Sequence, residues 1–492
     1  ADPLIDQGDM ASSLEEARSH DKYPTYEQYD SLMHFFAGEY PEICTIDTFG
    51  TSTEGRLLLA LKISDNADAE EDEPAFFYTA TIHGNELVGY NLSLRFIDFL
   101  LQNYPDDPEV ERLVNDVALW INPLSNPDAT YYPDNNSSVA LSIRSNVNGY
   151  DLNRNFPDVL TGVPDKNAPI QKETRAMMDF MHKHRFNLSA NLHSGAEVVN
   201  YPWDHTHNLH PDNDWFYFIS REYADEATVY NPGYMDGFTD GVTNGADWYV
   251  INGGRQDYVT YYLQGREITL ELSNVKKIES ENLETYWTYN KRSLLNLASQ
   301  ARYGIHGKVF SKATGTPVAA KITIPAHDDS ASFVMSDSLY GSFYRYIKEG
   351  VYDLVVRAEG YRADTVSDVQ VVDYQRTELL IELDSTEDPN AISPEKITST
   401  PAFKIYPNPA SKAIYIDILT SKDYEIQFTI HTLTGQTIEQ GILQPVRGQE
   451  TIRGQETIRG QATIRTEDFI PGVYMIILET PSNRCIKRFI LQ

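Results

Sequence analysis

The 492-residue sequence is poor in cysteine, in positive charge and in long hydrophobic runs. Its two cysteines, Cys44 and Cys485, lie near opposite ends of the chain, which argues against a disulfide framework and against a metal site built from thiolates. No apolar run approaches the ~18 residues that a membrane-spanning helix needs. The formal net charge of −32 makes nucleic acid and anionic membranes poor partners, because both require a positive protein surface.

The composition nevertheless supports packed domains. Hydrophobic residues make up 41% of the chain and aromatic residues 12%, which excludes a disordered protein. The length predicts about two to four domains. Changes in composition predict five segments. They are a loose polar lead-in over 1–22, an α/β domain over 23–302, a β-sandwich over 303–384, a polar linker over 385–402 and a second β-rich module over 403–492.

The α/β pattern rests on apolar runs that alternate between strand and helix periodicity. Val88, Leu92, Phe96 and Leu100 recur four apart and predict a helix over 86–102. Further helices are predicted over 170–184 and 282–301, and strands over 75–82, 117–122, 187–192 and 267–273. This alternation indicates a mixed, mostly parallel sheet flanked by helices, in which functional sites gather at the carboxyl ends of the strands.

The C-terminal part of the chain has a different pattern. Residues 303–384 contain short β-like runs separated by turn residues, which predicts a small all-β sandwich, and residues 403–492 predict a second one. The hexapeptide Arg-Gly-Gln-Glu-Thr-Ile occupies 447–452, recurs unchanged at 453–458 and recurs with one change at 459–464. Three copies are too few for a solenoid, so we expect an expanded hairpin loop.

Histidines and a glutamate at predicted strand ends form a candidate metal site. His83 and Glu86 lie three residues apart just after the strand at 75–82, and His193 follows the strand at 187–192. Zn²⁺ accepts such nitrogen and oxygen ligands, and three of them leave one position open for water. A His-x-x-Glu pair also arises by chance about once in such a chain, and a lone histidine is more often structural.

Two further segments carry polar residues that suit hydrolytic chemistry. Arg144, Asn153 and Arg154 belong to one segment rich in Arg and Asn. An arginine fork binds carboxylates well, although a surface loop with ordinary salt bridges would have the same composition. Glu271 alternates with the apolar residues of the strand at 267–273. A buried acid there is costly unless it is paired or functional, and the alternative is an exposed edge strand.

Taken in their order along the chain, the motifs of residues 23–301 resemble those of the zinc metallocarboxypeptidase family. The resemblance implies that one Zn²⁺ ion is bound by His83, Glu86 and His193. It also implies hydrolysis by a zinc-activated hydroxide, with Glu271 as the general base.

The same resemblance assigns roles in substrate binding. It implies that Arg144 polarises the scissile carbonyl group, and that Asn153 and Arg154 bind the terminal carboxylate of the substrate. Tyr249 matches the mobile tyrosine that covers the bound side chain. A clamp for a free carboxylate implies an exopeptidase, since an endopeptidase has no use for it.

Particular residues point to the N/E (regulatory) subfamily. Asn85 stands where the pancreatic-type enzymes have an arginine, and the motifs at 200–204 and 244–249 also resemble the N/E subfamily. The subfamily implies a transthyretin-like fold for residues 303–384. Ser194 departs from the usual glycine after the third ligand, and we expect little effect because serine is small.

The last module resembles the C-terminal sorting domain of the type IX secretion system. The matching segments are Tyr-Pro-Asn-Pro at 406–409, Leu-Thr-Gly at 433–435 and Pro-Gly-Val-Tyr at 471–474, whereas the hexapeptide repeat departs from the pattern. The resemblance implies that the secretion machinery is a partner and that the protein is secreted or lies at a bacterial cell surface.

The resemblance also indicates a substrate. Asp204 and Gln256 match positions in the pocket for the last side chain, where an aspartate favours C-terminal Lys or Arg on peptides and proteins. The alternatives are a zinc amidase or peptidoglycan peptidase of the same fold and an inactive surface-binding protein.

A cluster of three histidines follows Asp204, at His205, His207 and His210. We expect these histidines to form a solvated loop rather than a second metal site.

Overall fold

The structure of the chain is a computed structural model. It describes residues 2–133, 136–329 and 331–386, and beyond them chiefly the strands between 402 and 491. The chain divides into two units, Ala1–Asp388 and Pro389–Gln492, which are described separately.

A mixed sheet of eight strands forms the centre of the first unit. Its strands are β1 Cys44–Thr51, β2 Leu57–Ile63, β3 Ala75–Ala80, β4 Ala118–Asn122, β5 Leu188–His193, β6 Ala196–Tyr201, β7 Val242–Asn244 and β8 Arg266–Ser273. The spatial order is β1-β2-β4-β3-β5-β8-β6-β7. The pairs β4-β3, β3-β5 and β5-β8 are parallel, while β1-β2, β2-β4 and β8-β6 are antiparallel. The predicted α/β fold class is therefore confirmed.

Helices cover this sheet and bury their apolar faces against it. They are α1 Leu14–Arg18, α2 Tyr26–Glu39, α3 Val88–Asn103, α4 Pro108–Asp116, α5 Pro127–Thr130, α6 Lys172–His184, α7 Asn213–Tyr230, α8 Gly245–Trp248, α9 Arg255–Tyr262 and α10 Leu283–Ser299. The apolar residues of the four-residue repeat, Val88 to Leu100, are all buried in α3. Within the described residues, no helix is long and apolar enough to span a membrane.

The N-terminal segment is packed onto the α/β core, so the expectation of a loose lead-in is wrong. Ile5 and Met10 join the main core. The carboxylates of Asp2 and Asp9 accept hydrogen bonds of 2.7 Å from the backbone N–H groups of Lys276 and Ser280. Apolar residues spaced among acids give this segment a buried side, and its acids satisfy backbone donors of a neighbouring loop.

Seven strands form a β-sandwich after the α/β part. They are β9 Gly304–Ser311, β10 Lys321–Thr323, β11 Val334–Met335, β12 Ser342–Arg345, β13 Gly350–Arg357, β14 Asp364–Val371 and β15 Arg376–Leu383. One sheet has the order β11-β10-β13-β14 and the other β12-β9-β15. Residues such as Ile305, Phe343 and Leu354 point between the sheets and form a separate core. The predicted small β-sandwich is present, and its transthyretin-like character stays a prediction.

Among its described residues, the second unit contains two four-stranded antiparallel sheets. Its strands are β16 Ala402–Tyr406, β17 Ala413–Thr420, β18 Ile426–Thr432, β19 Thr437–Leu443, β20 Val446–Ile452, β21 Gln455–Arg465, β22 Gly472–Thr480 and β23 Asn483–Leu491. The sheet orders are β16-β17-β21-β20 and β19-β18-β22-β23. Residues 387–401 of the predicted linker lie outside the described residues, as do 407–409, 433–435 and 471 of the sorting motifs.

The hexapeptide repeat forms paired strands rather than an expanded loop. The first copy lies in β20 and pairs antiparallel with β21, which contains most of the other two copies. Ile452 lies opposite Gln455 and Arg447 lies opposite Gly460, so the copies pair with one another. Threonine and isoleucine in each copy favour extended backbone, which explains why the repeat extends the sheet.

Candidate active site

Three neighbouring parallel strands bring the candidate site together. β3, β5 and β8 lie side by side, and their carboxyl ends therefore meet at one edge of the sheet. His83 follows β3 by three residues, His193 is the last residue of β5, and Glu271 lies directly opposite His193 in β8. Strand pairing thus joins residues that are far apart in sequence.

His83, Glu86 and His193 present their ligand atoms to one point. The His193 Nδ1 atom lies 2.8 Å from Glu86 Oε2 and 3.1 Å from His83 Nδ1, and His83 Nδ1 lies 3.1 Å from Glu86 Oε2. Ligands in a tetrahedral zinc site stand about 3.3 Å apart, so this triangle needs to open by only a few tenths of an ångström. Two imidazoles and one carboxylate, all buried, therefore fit a zinc ion.

Neighbouring side chains orient the two imidazole rings. The other nitrogen of His83, Nε2, lies 3.0 Å from Asp151 Oδ1, and the Asn191 amide lies 2.9 Å from Nε2 of His193. Such partners fix the ring orientation of metal-binding histidines. Burial lowers the pKa of His193 to about 4, so this ring is neutral at neutral pH. Asp151 and Asn191 were missed from the sequence, although Asp151 stands in the Arg- and Asn-rich segment.

Glu271 lies beside this triangle in the interior of the sheet. β8 runs between β5 and β6, so the alternative of an exposed edge strand is wrong. The Oε2 atom of Glu271 is buried and has no hydrogen-bond partner among the described residues. Burial, followed by the repulsion of Glu86, raises the pKa of Glu271 to about 8. A carboxylate with an unpartnered oxygen next to a metal position can accept a proton from water.

Two cations flank the second oxygen of Glu86. Lys276 Nζ lies 2.6 Å and Arg144 Nη1 lies 3.2 Å from Glu86 Oε1, and the Arg144 fork also binds Asp151 Oδ2 at 3.0 Å. The salt bridges of Arg144 are therefore made with residues of the candidate site, Glu86 and Asp151. Lys276 was missed from the sequence, because a lysine five residues after Glu271 has no distinctive pattern.

The segment with Asn153 and Arg154 lies between the metal triangle and helix α9. Asn153 Oδ1 accepts a 2.9 Å hydrogen bond from the backbone N–H of Arg255, and its own backbone N–H donates to Asp151 Oδ1 at 2.9 Å. Burial raises the pKa of Tyr249, whereas the positive charge of Arg154 opposes the rise. Tyr249 is 44% exposed, and its role as a mobile cover of the substrate stays a prediction.

Asp204 and Gln256 lie together in a buried cluster of polar side chains. Gln256 Nε2 donates to Asp204 Oδ1 at 2.9 Å, and Asn200 Nδ2 donates to the same oxygen at 3.3 Å. Burial and the nearby Asp257 carboxylate raise the pKa of Asp204 well above its usual range. A β-carbon on Gly245 would overlap the Asp204 carboxylate, so a larger residue at this position would have to displace that carboxylate.

The histidines that follow Asp204 do not form a common solvated loop. His207 is exposed near Asp247, but His205 Nδ1 binds Asp257 Oδ2 at 2.7 Å. His210 is buried with its ring 5.0 Å from that of Trp203, and burial lowers its pKa to about 3. The expectation is wrong for His205 and His210, because each finds its own partner in the folded chain.

Comparisons with known proteins agree with this geometry. A family model described as zinc carboxypeptidase matches residues 29–293, and one described as a secretion system C-terminal sorting domain matches residues 404–492. The chain therefore belongs to the zinc carboxypeptidase family, and its last module to the sorting-domain family. It is an enzyme of the hydrolase class, as the motifs predicted.

Individual relatives refine the family assignment. The chain is 34% identical over 372 residues to carboxypeptidase SOL1 of Arabidopsis thaliana, which covers 74% of this chain and 72% of that protein. It is 35% identical over 363 residues to human carboxypeptidase D, covering 70% of this chain but only 25% of that protein. The match to carboxypeptidase D confirms the resemblance to the N/E subfamily.

A solved structure supports the fold. The crystal structure of thrombin activatable fibrinolysis inhibitor aligns with a TM-score of 0.50 and 18% identity, covering 60% of this chain and 78% of that chain. At this level of identity the likeness concerns the fold alone.

Proposed function

We propose that this zinc carboxypeptidase removes Lys or Arg from the C-termini of peptides and proteins outside the cell. The observation that carries the specificity is the Asp204 carboxylate, which is 3% exposed and has no ion-pair partner among the described residues. Its hydrogen-bond donors are neutral amides. The pocket therefore lacks one positive charge, which a basic side chain of the substrate would supply.

The energetics of burial favour a cationic guest. A buried carboxylate without a counter-ion is unfavourable, as the raised pKa of Asp204 reflects. A Lys or Arg side chain would restore the charge balance, whereas a Leu or Phe side chain would leave the carboxylate buried and unpaired. Sites built around a polar group reject guests that cannot pair with it far more strongly than apolar pockets reject a wrong shape.

Gln256 adds a second acceptor for the substrate head group. Its Nε2 atom is used by Asp204, while its Oε1 atom is buried without a hydrogen-bond partner among the described residues. Buried acceptors without partners are rare in folded proteins, so this oxygen remains available to a donor on the substrate. An ammonium or guanidinium group can donate to Asp204 and Gln256 together.

Asn153, Arg154 and Tyr249 are proposed to bind the terminal carboxylate of the substrate. The Arg154 side chain donates to the backbone oxygen of Asn153 at 2.8 Å, and its positive charge opposes the rise in pKa at Tyr249 and Asp204. After His83 and Arg144, it also helps to lower the pKa of Asp151. Its positive charge therefore lies between the metal triangle and the pocket. A guanidinium placed there can bind a carboxylate at a fixed distance from both, which restricts cleavage to the last peptide bond.

The remaining groups would carry out the chemistry. When bound by His83, Glu86 and His193, zinc supplies a Lewis acid that polarises the scissile carbonyl and lowers the pKa of a water molecule. Glu271 takes the proton of the attacking water and later delivers it to the leaving amine. Arg144 donates hydrogen bonds to the carbonyl oxygen as negative charge develops there.

The last module is proposed to direct export. The sorting-domain match over residues 404–492 supports secretion or display at a bacterial cell surface, with the secretion machinery as a partner. Protein fractionation of the producing cells would test this: the enzyme should appear outside the cell, and deletion of 404–492 should retain it inside. Export of the truncated chain at normal levels would contradict the assignment.

One panel of substrates tests the specificity and the chemistry together. Peptides that end in Lys or Arg should be cleaved faster than matched peptides that end in Leu or Phe. A chelator should stop all cleavage. Equal or faster release of Leu would contradict the role of Asp204. Cleavage of cell-wall fragments but of none of the peptides would favour an amidase, and no chelator-sensitive hydrolysis would favour an inactive binding protein.

A further inference from the structure

One buried carboxylate, Asp212, joins the α/β part of the first unit to the β-sandwich. Arg345, from strand β12, donates to both oxygens of Asp212 at 2.7 and 2.8 Å. Arg266, the first residue of β8, lies 2.8 Å from the same carboxylate, as does Nε2 of His327 from the β-sandwich. Asp212, Arg266 and Arg345 are all essentially inaccessible to solvent.

The charges of this cluster are balanced within it. Arg345 also binds Asp328 at 2.6 Å, so two arginines face two aspartates. Although burial opposes ionisation, Arg345 and Arg266 hold the pKa of Asp212 well below its usual range. Asp212, His327 and Asp328 have the spacing of a metal site, but the arginines already neutralise them, so a cation has no role there.

Asp212 is also connected to the proposed substrate pocket. Its backbone N–H donates to His210 Nδ1 at 2.9 Å, and the His210 ring packs against Trp203, the residue next to Asp204. The backbone oxygens of Trp203 and Asp204 accept 2.9 Å hydrogen bonds from Ala246 and Ile251. A continuous series of packed and hydrogen-bonded groups therefore runs from Arg345 to the pocket acid.

A second contact between the same parts of the unit has no such connection. Lys308 of the β-sandwich pairs with Asp72, and Ser342 hydrogen-bonds to the same carboxylate. Asp72 lies in the loop between β2 and β3, which supplies no residue to the pocket. This contact provides a matched comparison, because it attaches the β-sandwich without touching the segment that carries Asp204.

We propose that Arg345 is a positioning residue for the substrate pocket: it fixes Asp212, and through His210 and Trp203 it holds Asp204 in place. The β-sandwich thereby takes part in substrate binding without touching the substrate. This inference rests on the proposed function, because it takes Asp204 to be the acid that binds the basic side chain.

The experiment measures KM and kcat separately for Arg345→Met and Arg345→Lys, with peptides that end in Arg and in Leu. Arg345→Met should raise KM for the Arg peptide by about tenfold or more, because a displaced carboxylate loses its aligned contacts. The kcat value, zinc content and KM for the Leu peptide should change little, and Arg345→Lys should recover part of the loss. Lys308→Met should leave KM unchanged for both peptides.

A purely structural role gives a different pattern. Lower thermal stability with unchanged KM and unchanged Arg-to-Leu selectivity would overturn the proposal. If Arg345→Met does not fold, Arg345→Lys decides: it keeps the positive charge but loses the contact with both oxygens of Asp212, and an unchanged KM for the Arg peptide would overturn the proposal. Failure of the proposed function would instead appear in the wild-type enzyme, as a lack of preference for Arg over Leu.

Discussion

Replacement of Asp204 by Asn is the most direct test of the pocket. The change removes the charge while it conserves the size of the side chain and one acceptor for the Gln256 and Asn200 amides. We expect kcat/KM for peptides ending in Lys or Arg to fall sharply. The value for peptides ending in Leu should stay constant or rise, since no buried carboxylate is then left unpaired by an apolar guest.

The size of the effect follows from the burial of Asp204. Removal of one partner from a buried ion pair typically costs about 3–5 kcal/mol, which corresponds to a loss of roughly 10²–10⁴-fold in kcat/KM for basic substrates. The same change should stabilise the substrate-free enzyme. Because burial and Asp257 raise the pKa of Asp204, the folded state binds the proton more tightly than the unfolded state. Wild-type stability therefore falls as pH rises from about 3.9 through the raised pKa, and the advantage of the variant grows over that range.

Steady-state kinetics with paired Arg and Leu peptides, together with thermal unfolding at several pH values, measure both effects. Asp247→Asn is the matched control, since Asp247 is an exposed acid of the adjoining α8 and contacts His207. It should change neither selectivity nor stability by more than a small factor. A similar loss for Arg and Leu peptides in Asp204→Asn would refute a role for this carboxylate in specificity.

Three further predictions concern the same site. Glu271→Gln should lower kcat by about 10²–10⁴-fold while zinc content, measured by atomic absorption, stays at the wild-type level; substantial residual turnover would remove Glu271 from the role of base. Asp151→Asn should weaken zinc binding by about 10–100-fold in a chelator competition, because Asp151 orients the His83 ring. The control Asp165→Asn should leave zinc affinity unchanged. Equal zinc affinities for the two variants would show that the contact of Asp151 with His83 is unimportant. Gly245→Ala should raise KM for basic peptides because its β-carbon overlaps Asp204, and an unchanged KM would mean that the carboxylate can move aside.

The features predicted correctly from the sequence are those that depend on local residue patterns. The four-residue spacing from Val88 to Leu100 predicted α3, because one helical face had to be apolar to pack on the sheet. The alternation of Glu271 with apolar neighbours predicted that it faces away from Leu270 and Leu272, but a buried acid and an exposed edge strand both remained open until the sheet order was known. His83 and His193 could be assigned to one edge because strand ends meet there in parallel sheets.

The features that it missed depend on partners distant in sequence. Asp151 orients a histidine 68 positions away, and Lys276 reaches Glu86 over 190 positions. His210 became a buried ring because Trp203 and Phe216 enclose it. Each of these residues is polar and would be equally acceptable on a solvated loop, so only the tertiary arrangement separates the two environments.

The self-paired hexapeptide in β20 and β21 has a consequence for how this module can vary. Side chains of a strand alternate between its two faces, so an insertion of an odd number of residues exchanges the faces, whereas an even number preserves them. Because the repeated unit has six residues, gain or loss of one whole copy leaves every remaining residue on its original face. The length of this hairpin can therefore change in evolution by whole copies while the pattern of its two faces stays intact.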